Sequence, residues 1–217
     1  MANVPITSLP QASTVAKTDQ LILQGGSTQR ATLAKILADL GVVNSDTAED
    51  DMLRLTTPDG AAAHNCVYRG KALGTSVTSE QWAAIKAGTF KDLFLGDYWT
   101  IGGVDYIIAA FDYWLSTGDT LCTKHHVVVI PHDQLYTYKF NPTNTTEGGY
   151  VGSDLYKNGL TQAKQMITAA FGSAHILSHR ECLVNAVTNG KPTGTDWYDS
   201  TVELMNENMV YGGRQFS

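Results

Sequence analysis

Tyr98-Trp99-Thr100-Ile101-Gly102-Gly103-Val104-Asp105-Tyr106-Ile107-Ile108 is the stretch that decides the fold class. Two β-prone runs flank a Gly-Gly pair, and glycine adopts the positive φ angles of a two-residue hairpin turn without steric cost. The run predicts a tight antiparallel hairpin. Downstream, His125 to Ile130 is apolar enough to be a central strand, and Pro131, with no N–H for a ladder, ends it. Upstream, Thr78-Ser79-Glu80-Gln81 matches a capping box, Trp82 and Ile85 share one helical face, and Gly88 stands where a left-handed stop belongs.

Further along, the stretch from Asn141 to Ser153 reads as a polar loop. Leu160, Ala163, Ile167, Ala170 and Phe171 fall near one helical face, with Gly172 ending the run. Ser178-His179-Arg180-Glu181 and Ser200-Thr201-Val202-Glu203 match capping boxes and predict helices over 182–187 and 204–207. Strands followed by helices argue for an α+β domain, a mixed antiparallel sheet with helices, rather than a doubly wound fold.

Before this domain lies a different kind of sequence. Residues 1–43 hold the Ile6-Thr7-Ser8-Leu9-Pro10 start, the apolar run Leu21-Ile22-Leu23 and the helix-like stretch from Ala31 to Leu40. So short a unit buries too little apolar surface to offset its ordering entropy, so it is expected to fold against a partner or in an oligomer. Residues 44–64 read as a linker: Asn44 to Asp51 is acidic and polar, Thr57-Pro58-Asp59-Gly60 is a turn signal, and Met52-Leu53-Arg54-Leu55 alternates like a short strand. Residues 65–217 form the α+β domain.

Composition narrows the classes of function. The chain of 217 residues is 43% hydrophobic, enough for a real core, and its net charge of −6 comes without a long basic run. Nucleic-acid binding is not expected. The start Met1-Ala2-Asn3-Val4-Pro5 has neither the charged region nor the apolar run of a signal peptide, and no stretch is long enough to span a bilayer, so no membrane role is expected. Cys66, Cys122 and Cys182 are odd in number and far apart, which disfavours a disulfide framework or a zinc site and predicts reduced, mostly buried thiols.

Two stretches carry a family resemblance. Ile6 to Ala12, Lys17-Thr18-Asp19-Gln20-Leu21 and Ala31-Thr32-Leu33 resemble the amino terminus of many bacteriophage fibre and appendage proteins, where the segment docks a fibre onto the virion. Tyr68-Arg69-Gly70-Lys71, Gly96 to Gly103, His125 to Pro131 and Val202 to Glu207 resemble a domain of unknown function from phages and prophages of gut Firmicutes. Members of that group continue into Trp-Trp-Leu-Arg and Gly-Val-Arg-Pro segments that give them a C-type-lectin-like look; this chain reaches Ser217 without them. The resemblance implies a virion structural protein made in the host bacterial cytoplasm, with Ile6, Leu9, Leu21, Leu23, Leu33, Ile36 and Leu37 carrying attachment to capsid, collar or tail proteins. It also implies a homo-oligomer, a trimer in a fibre, and an outward domain that meets a bacterial surface glycan. A decoration or collar protein with a purely packing role is the first alternative, and a virion-mounted polysaccharide hydrolase the second.

Chemistry-bearing residues are sparse. Adjacent residues on a strand point to opposite faces, so His125 and His126 cannot readily share a metal; one is expected packed and hydrogen-bonded and the other solvent-facing. His175 and His179 have the four-residue spacing of a helical metal pair, but Ser178 as an N-cap would leave His175 outside the helix. Cys122 lies near both histidines, yet its context is that of a strand edge and a structural thiol. Asp97, Asp105, Asp112 and Asp119 sit near aromatics as glycosidase acids would, though acids beside hairpin turns are ordinary. Gly148 to Ser153 lacks the lysine of a phosphate loop and reads as flexible. No enzyme activity, metal or cofactor is expected. The ligand-contact candidates are Asp196, Trp197 and Tyr198, two aromatics and an acid in a surface turn running from Gly194 to Asp199; the alternative is that Trp197 folds back as an apolar plug.

Overall fold

The computed structural model describes residues 20–24, 28–32, 48–206 and 209–210. Helices and antiparallel sheets mix, so the α+β expectation holds. The chain divides into two compact units, Met1–Thr57 and Pro58–Ser217.

In the first unit, β1 (Gln20–Gln24) pairs antiparallel with β2 (Thr28–Thr32), Leu21 opposite Ala31 and Leu23 opposite Gln29. Strand β2 thus takes Ala31 and Thr32 from the expected helix, whose remainder lies outside the described residues. Helix α1 (Ala48–Thr56) replaces the alternating strand expected at Met52 to Leu55. Its acids precede Arg54, which pairs with Asp51 at 3.0 Å, an arrangement that complements the helix dipole. Met52 and Leu55, three apart on a helix, are exposed.

The second unit begins earlier than composition suggests. Helix α2 (Ala61–His64) brings His64, 2% exposed, into the core. Its Nδ1 donates to the Leu93 carbonyl at 2.6 Å, and its ring stacks on Phe94 at 5.1 Å. The following Asn65 binds both main-chain groups of Phe111, donating to its carbonyl and accepting from its N–H, each at 2.9 Å. Residues 58–64 are therefore part of the domain and not linker; the polar, turn-rich composition hid a histidine that burial and one hydrogen bond make a core residue.

Helix α3 (Ser79–Ala87) has the expected reciprocal capping box between Thr78 and Gln81 and ends on Gly88 at φ 69°. The hairpin follows: β3 (Tyr98–Ile101) and β4 (Val104–Phe111) turn through Gly102 and Gly103 at φ 61° and 82°. Trp99 pairs with Tyr106, and both are buried. Strand β5 (Val127–Pro131) adds to the other side of β4, giving the order β3-β4-β5. It is an edge strand, not the central one its composition suggests. Ile85, Phe90, Leu93, Trp99, Ile108 and Phe111 form the core between this sheet and α3.

Gly148 and Gly149 do not make a flexible loop. Gly149 is buried at the start of α4 (Gly149–Gly152), and a Cβ there would stand 2.7 Å from the Val184 carbonyl. Only glycine permits that approach at φ 61°. A π-helical turn leads into α5 (Leu160–Phe171), which buries Leu160 and Ala163 and ends at Gly172 as expected.

Beyond α5 the structure departs from the expected helices. Residues His179–Thr188 are strand β6 and Lys191–Ser200 strand β7, paired antiparallel. Their turn uses Asn189 and Gly190 at φ 51° and 72°, the residue pair that type I′ turns favour. Ser178 to Glu181 enters a strand because that turn and its ladder outweigh a local cap. Ser200 ends β7, and residues 201–206 contain no helix, although Ser200 Oγ does reach Glu203 at 2.7 Å. No helix among the described residues is long and apolar enough to cross a membrane.

Candidate functional site

Edge strand β5 opens onto a cleft of about 840 Å3 in the second unit. Helix α3 supplies Trp82 to its wall, α5 supplies Ile167 and Phe171, and β5 supplies Val127 to Ile130. Trp114 and the histidines 125, 126, 175 and 179 add aromatic and imidazole rings, and Thr201 to Met205 with Met209 also line it.

One carboxylate organises two of these histidines. Asp112, at the turn after β4 with φ 54°, accepts from His125 Nδ1 at 2.7 Å and from the His126 N–H at 2.9 Å. His126 is locked as a neutral ring: Nδ1–H donates to the Lys124 carbonyl at 2.9 Å, so Nε2 accepts the Trp114 N–H at 3.0 Å. Burial pushes its pKa below the ordinary value, outweighing the pull of the Lys124 carbonyl and Asp112. His125 keeps 38% of its side-chain surface, whereas His126 keeps 5%. The division between a packed and a solvent-facing histidine is as expected.

Two ring stacks complete the wall. Trp114 lies on His179 at 3.9 Å, and Trp82 lies on His175 at 3.8 Å with an interplanar angle of 8°. His179 sits in β6, so its relation to His175 is that of a strand to the turn before it, not that of a helical pair. Its Nε2 meets Glu181 at 3.0 Å, and its Nδ1 is buried without a hydrogen-bond partner. At the rim, Glu203 accepts from the Tyr150 hydroxyl at 2.6 Å. Burial first, and then this carboxylate, hold the Tyr150 pKa well above its usual value.

Chemically the cleft offers an apolar floor, aromatic faces and one exposed imidazole oriented by a carboxylate. Such a pair can position a proton acceptor, the arrangement of a base and its orienting group. Among the described residues no group of three or more His, Cys, Asp or Glu side chains is placed to hold a metal ion.

The candidates named from sequence lie elsewhere. Asp196, Trp197 and Tyr198 are on strand β7, not in a turn, and none of them lines the cleft. Trp197 is 38% exposed rather than folded back, and its carbonyl accepts from Arg180 at 2.9 Å. Asp196 accepts from the Trp197 N–H, and the Tyr198 hydroxyl accepts from Asn185. Of the attachment residues, Leu21 and Leu23 fall in β1; Ile6, Leu9, Leu33, Ile36 and Leu37 lie outside the described residues.

The four acids weighed as glycosidase candidates all have other partners. Asp97 pairs with Arg69, Asp105 accepts from Thr100, Asp112 holds the histidines and Asp119 pairs with Arg180. Cys122 is buried and its thiol is directed at the Lys124 carbonyl, 3.7 Å away, while Cys66 and Cys182 are exposed, so the thiols are free but mostly not buried. Comparison with family models, with curated proteins and with solved structures finds no match.

Proposed function

We propose that this chain is a structural subunit of a bacteriophage virion, a head or tail fibre or appendage protein. Its first unit anchors it to capsid, collar or tail proteins, and its second is displayed for attachment to the host surface, in a homotrimer. The observation that carries the reading is the partition of aromatic residues between the two compact units. No Phe, Tyr or Trp precedes Thr57, whereas the second unit exposes Tyr68, Tyr113, Tyr138, Phe140 and Trp197. Rings with polar edges suit the flat faces of sugars, and only the second unit carries them.

A decoration or collar role, in which the second unit packs against neighbouring subunits, is favoured by a different observation. The cleft wall formed by Val127 to Ile130, Ile167 and Phe171 is apolar, as a protein contact would require.

Purified particles decide between being in the virion and not. Mass spectrometry of gradient-purified virions is expected to find the chain at a fixed copy number per particle, and labelled antibody against the second unit is expected to decorate a projecting structure. Particles free of the chain would remove both readings. Light scattering of the full chain at micromolar concentration tests the trimer.

A further inference from the structure

Strand β5 has the sequence of a covered strand and the position of an uncovered one. Val127, Val128, Val129 and Ile130 form a continuous apolar run, the pattern of strands enclosed on all sides, yet every residue of β5 is only half-buried. Exposed sheet edges are ordinarily guarded by charge, by proline or by a covering element. Here the run from Val127 to Ile130 carries no charge, and Pro131 comes only at its end.

The main chain of β5 points the same way. The His126 carbonyl accepts from Asp112 and the His132 N–H donates to Asp105, both toward β4. Antiparallel alternation then turns the main-chain groups of Val128 and Ile130 toward β4 and those of Val127 and Val129 outward. Among the described residues no hydrogen bond reaches the outward groups. All four residues line the cleft, so this open edge runs along its wall. Trp82 on α3, Phe171 on α5 and the stretch from Thr201 to Met205 line the same cleft.

We infer that the cleft is an acceptor groove for one extended apolar segment of another polypeptide, which joins the sheet as a fourth strand beside β5. Its main chain would satisfy the outward N–H and C=O groups of Val127 and Val129. Val127 and Val129 pack against the core cluster. Alternate side chains of the incoming strand extend that layer, so they must be apolar, over about 17 Å for a five-residue match. The inference goes beyond the appendage reading and does not depend on it.

Residue-resolved amide exchange on the full chain tests it. In the chain alone, Val127 and Val129 are expected to exchange at least about tenfold faster than Val128 and Ile130. A capped heptapeptide of alternating threonine and valine, added at millimolar concentration, is expected to slow Val127 and Val129 to the rate of their neighbours. Val129→Pro removes one outward donor while leaving the β4 ladder intact, and is expected to abolish that slowing. Outward amides already protected in the chain alone would overturn the inference, since the edge would then be covered from within. So would a peptide without effect, a Val129→Pro chain that still binds it, or cleft resonances that respond to N-acetylglucosamine and not to the peptide. If Val129→Pro does not fold, the exchange pattern of the parent chain still decides. Virions lacking the chain would remove the appendage reading and leave this result standing.

Discussion

Arg69 holds Asp97 through two parallel hydrogen bonds, Nε to Oδ1 at 3.1 Å and Nη2 to Oδ2 at 2.7 Å, with both side chains almost completely buried. The same carboxylate accepts the main-chain N–H groups of Lys71 and Phe94, and the guanidinium also reaches Asp92 and lies over the Phe94 ring. One acid thus ties the entry of the domain to the turn before β3. Removing it takes the bidentate carboxylate from a buried guanidinium and the acceptor from two main-chain N–H groups. Asp97→Ala is expected to cost about 3–5 kcal/mol, read as a lower urea midpoint at an unchanged slope.

Gln81 joins helix and sheet through one oxygen. Its Oε1 accepts both the Thr78 N–H and the Trp99 Nε1–H, each at 3.0 Å. Gln81→Ala therefore opens the capping box and strands a buried indole donor, at an expected cost of about 1–3 kcal/mol. Gln81→Glu keeps the acceptor and is expected to stay close to the parent. Urea titrations followed by tryptophan emission separate the two.

Acid sensitivity should follow from His126. Its folded pKa lies below the ordinary 6.5, chiefly through burial. Below that value the unfolded chain takes up a proton that the folded chain refuses. The contribution to stability is therefore complete above the unfolded pKa and is lost as pH falls beneath it. Unfolding free energy is expected to be lower at about pH 5.5 than at about pH 7.5, with this one site contributing at most about 1.4 kcal/mol per pH unit. His126→Gln should flatten that limb of the profile.

Trp197 separates host contact from folding. It is 38% exposed on β7, opposite the exposed Cys182 of β6. Trp197→Ala is expected to change stability by no more than about 0.5 kcal/mol. If the displayed unit attaches the particle through its surface aromatics, adsorption of particles to host cells slows in the same variant. Adsorption equal to the parent would take Trp197 out of the contact.

What the sequence made legible was local. The β3–β4 hairpin was announced by Gly102-Gly103, and α3 by a cap whose two halves, Thr78 and Gln81, lie three residues apart. The second hairpin had an equally local signal in Asn189-Gly190, but Ser178-x-x-Glu181 competed with it, because a serine and a glutamate fit a strand end as well as a helix start. Trp197 and Tyr198 therefore read from sequence as a turn, whereas they stand on β7. The cleft was beyond such reading. It joins Trp82, Trp114, His126, His175 and His179, which neither share an element nor keep a common spacing, and only the packing of sheet, helix and hairpin brings them to one cleft. The edge position of β5 was equally hidden, since strand order is a property of pairing and not of composition.

Because every chromophoric side chain follows Thr57, near-ultraviolet absorption and intrinsic fluorescence observe the second unit alone. An optical melt of this protein is blind to whatever its leading residues do. Docking of the first unit onto another protein would proceed without any direct change in emission, and a reporter dye placed before Pro58 is needed to see it.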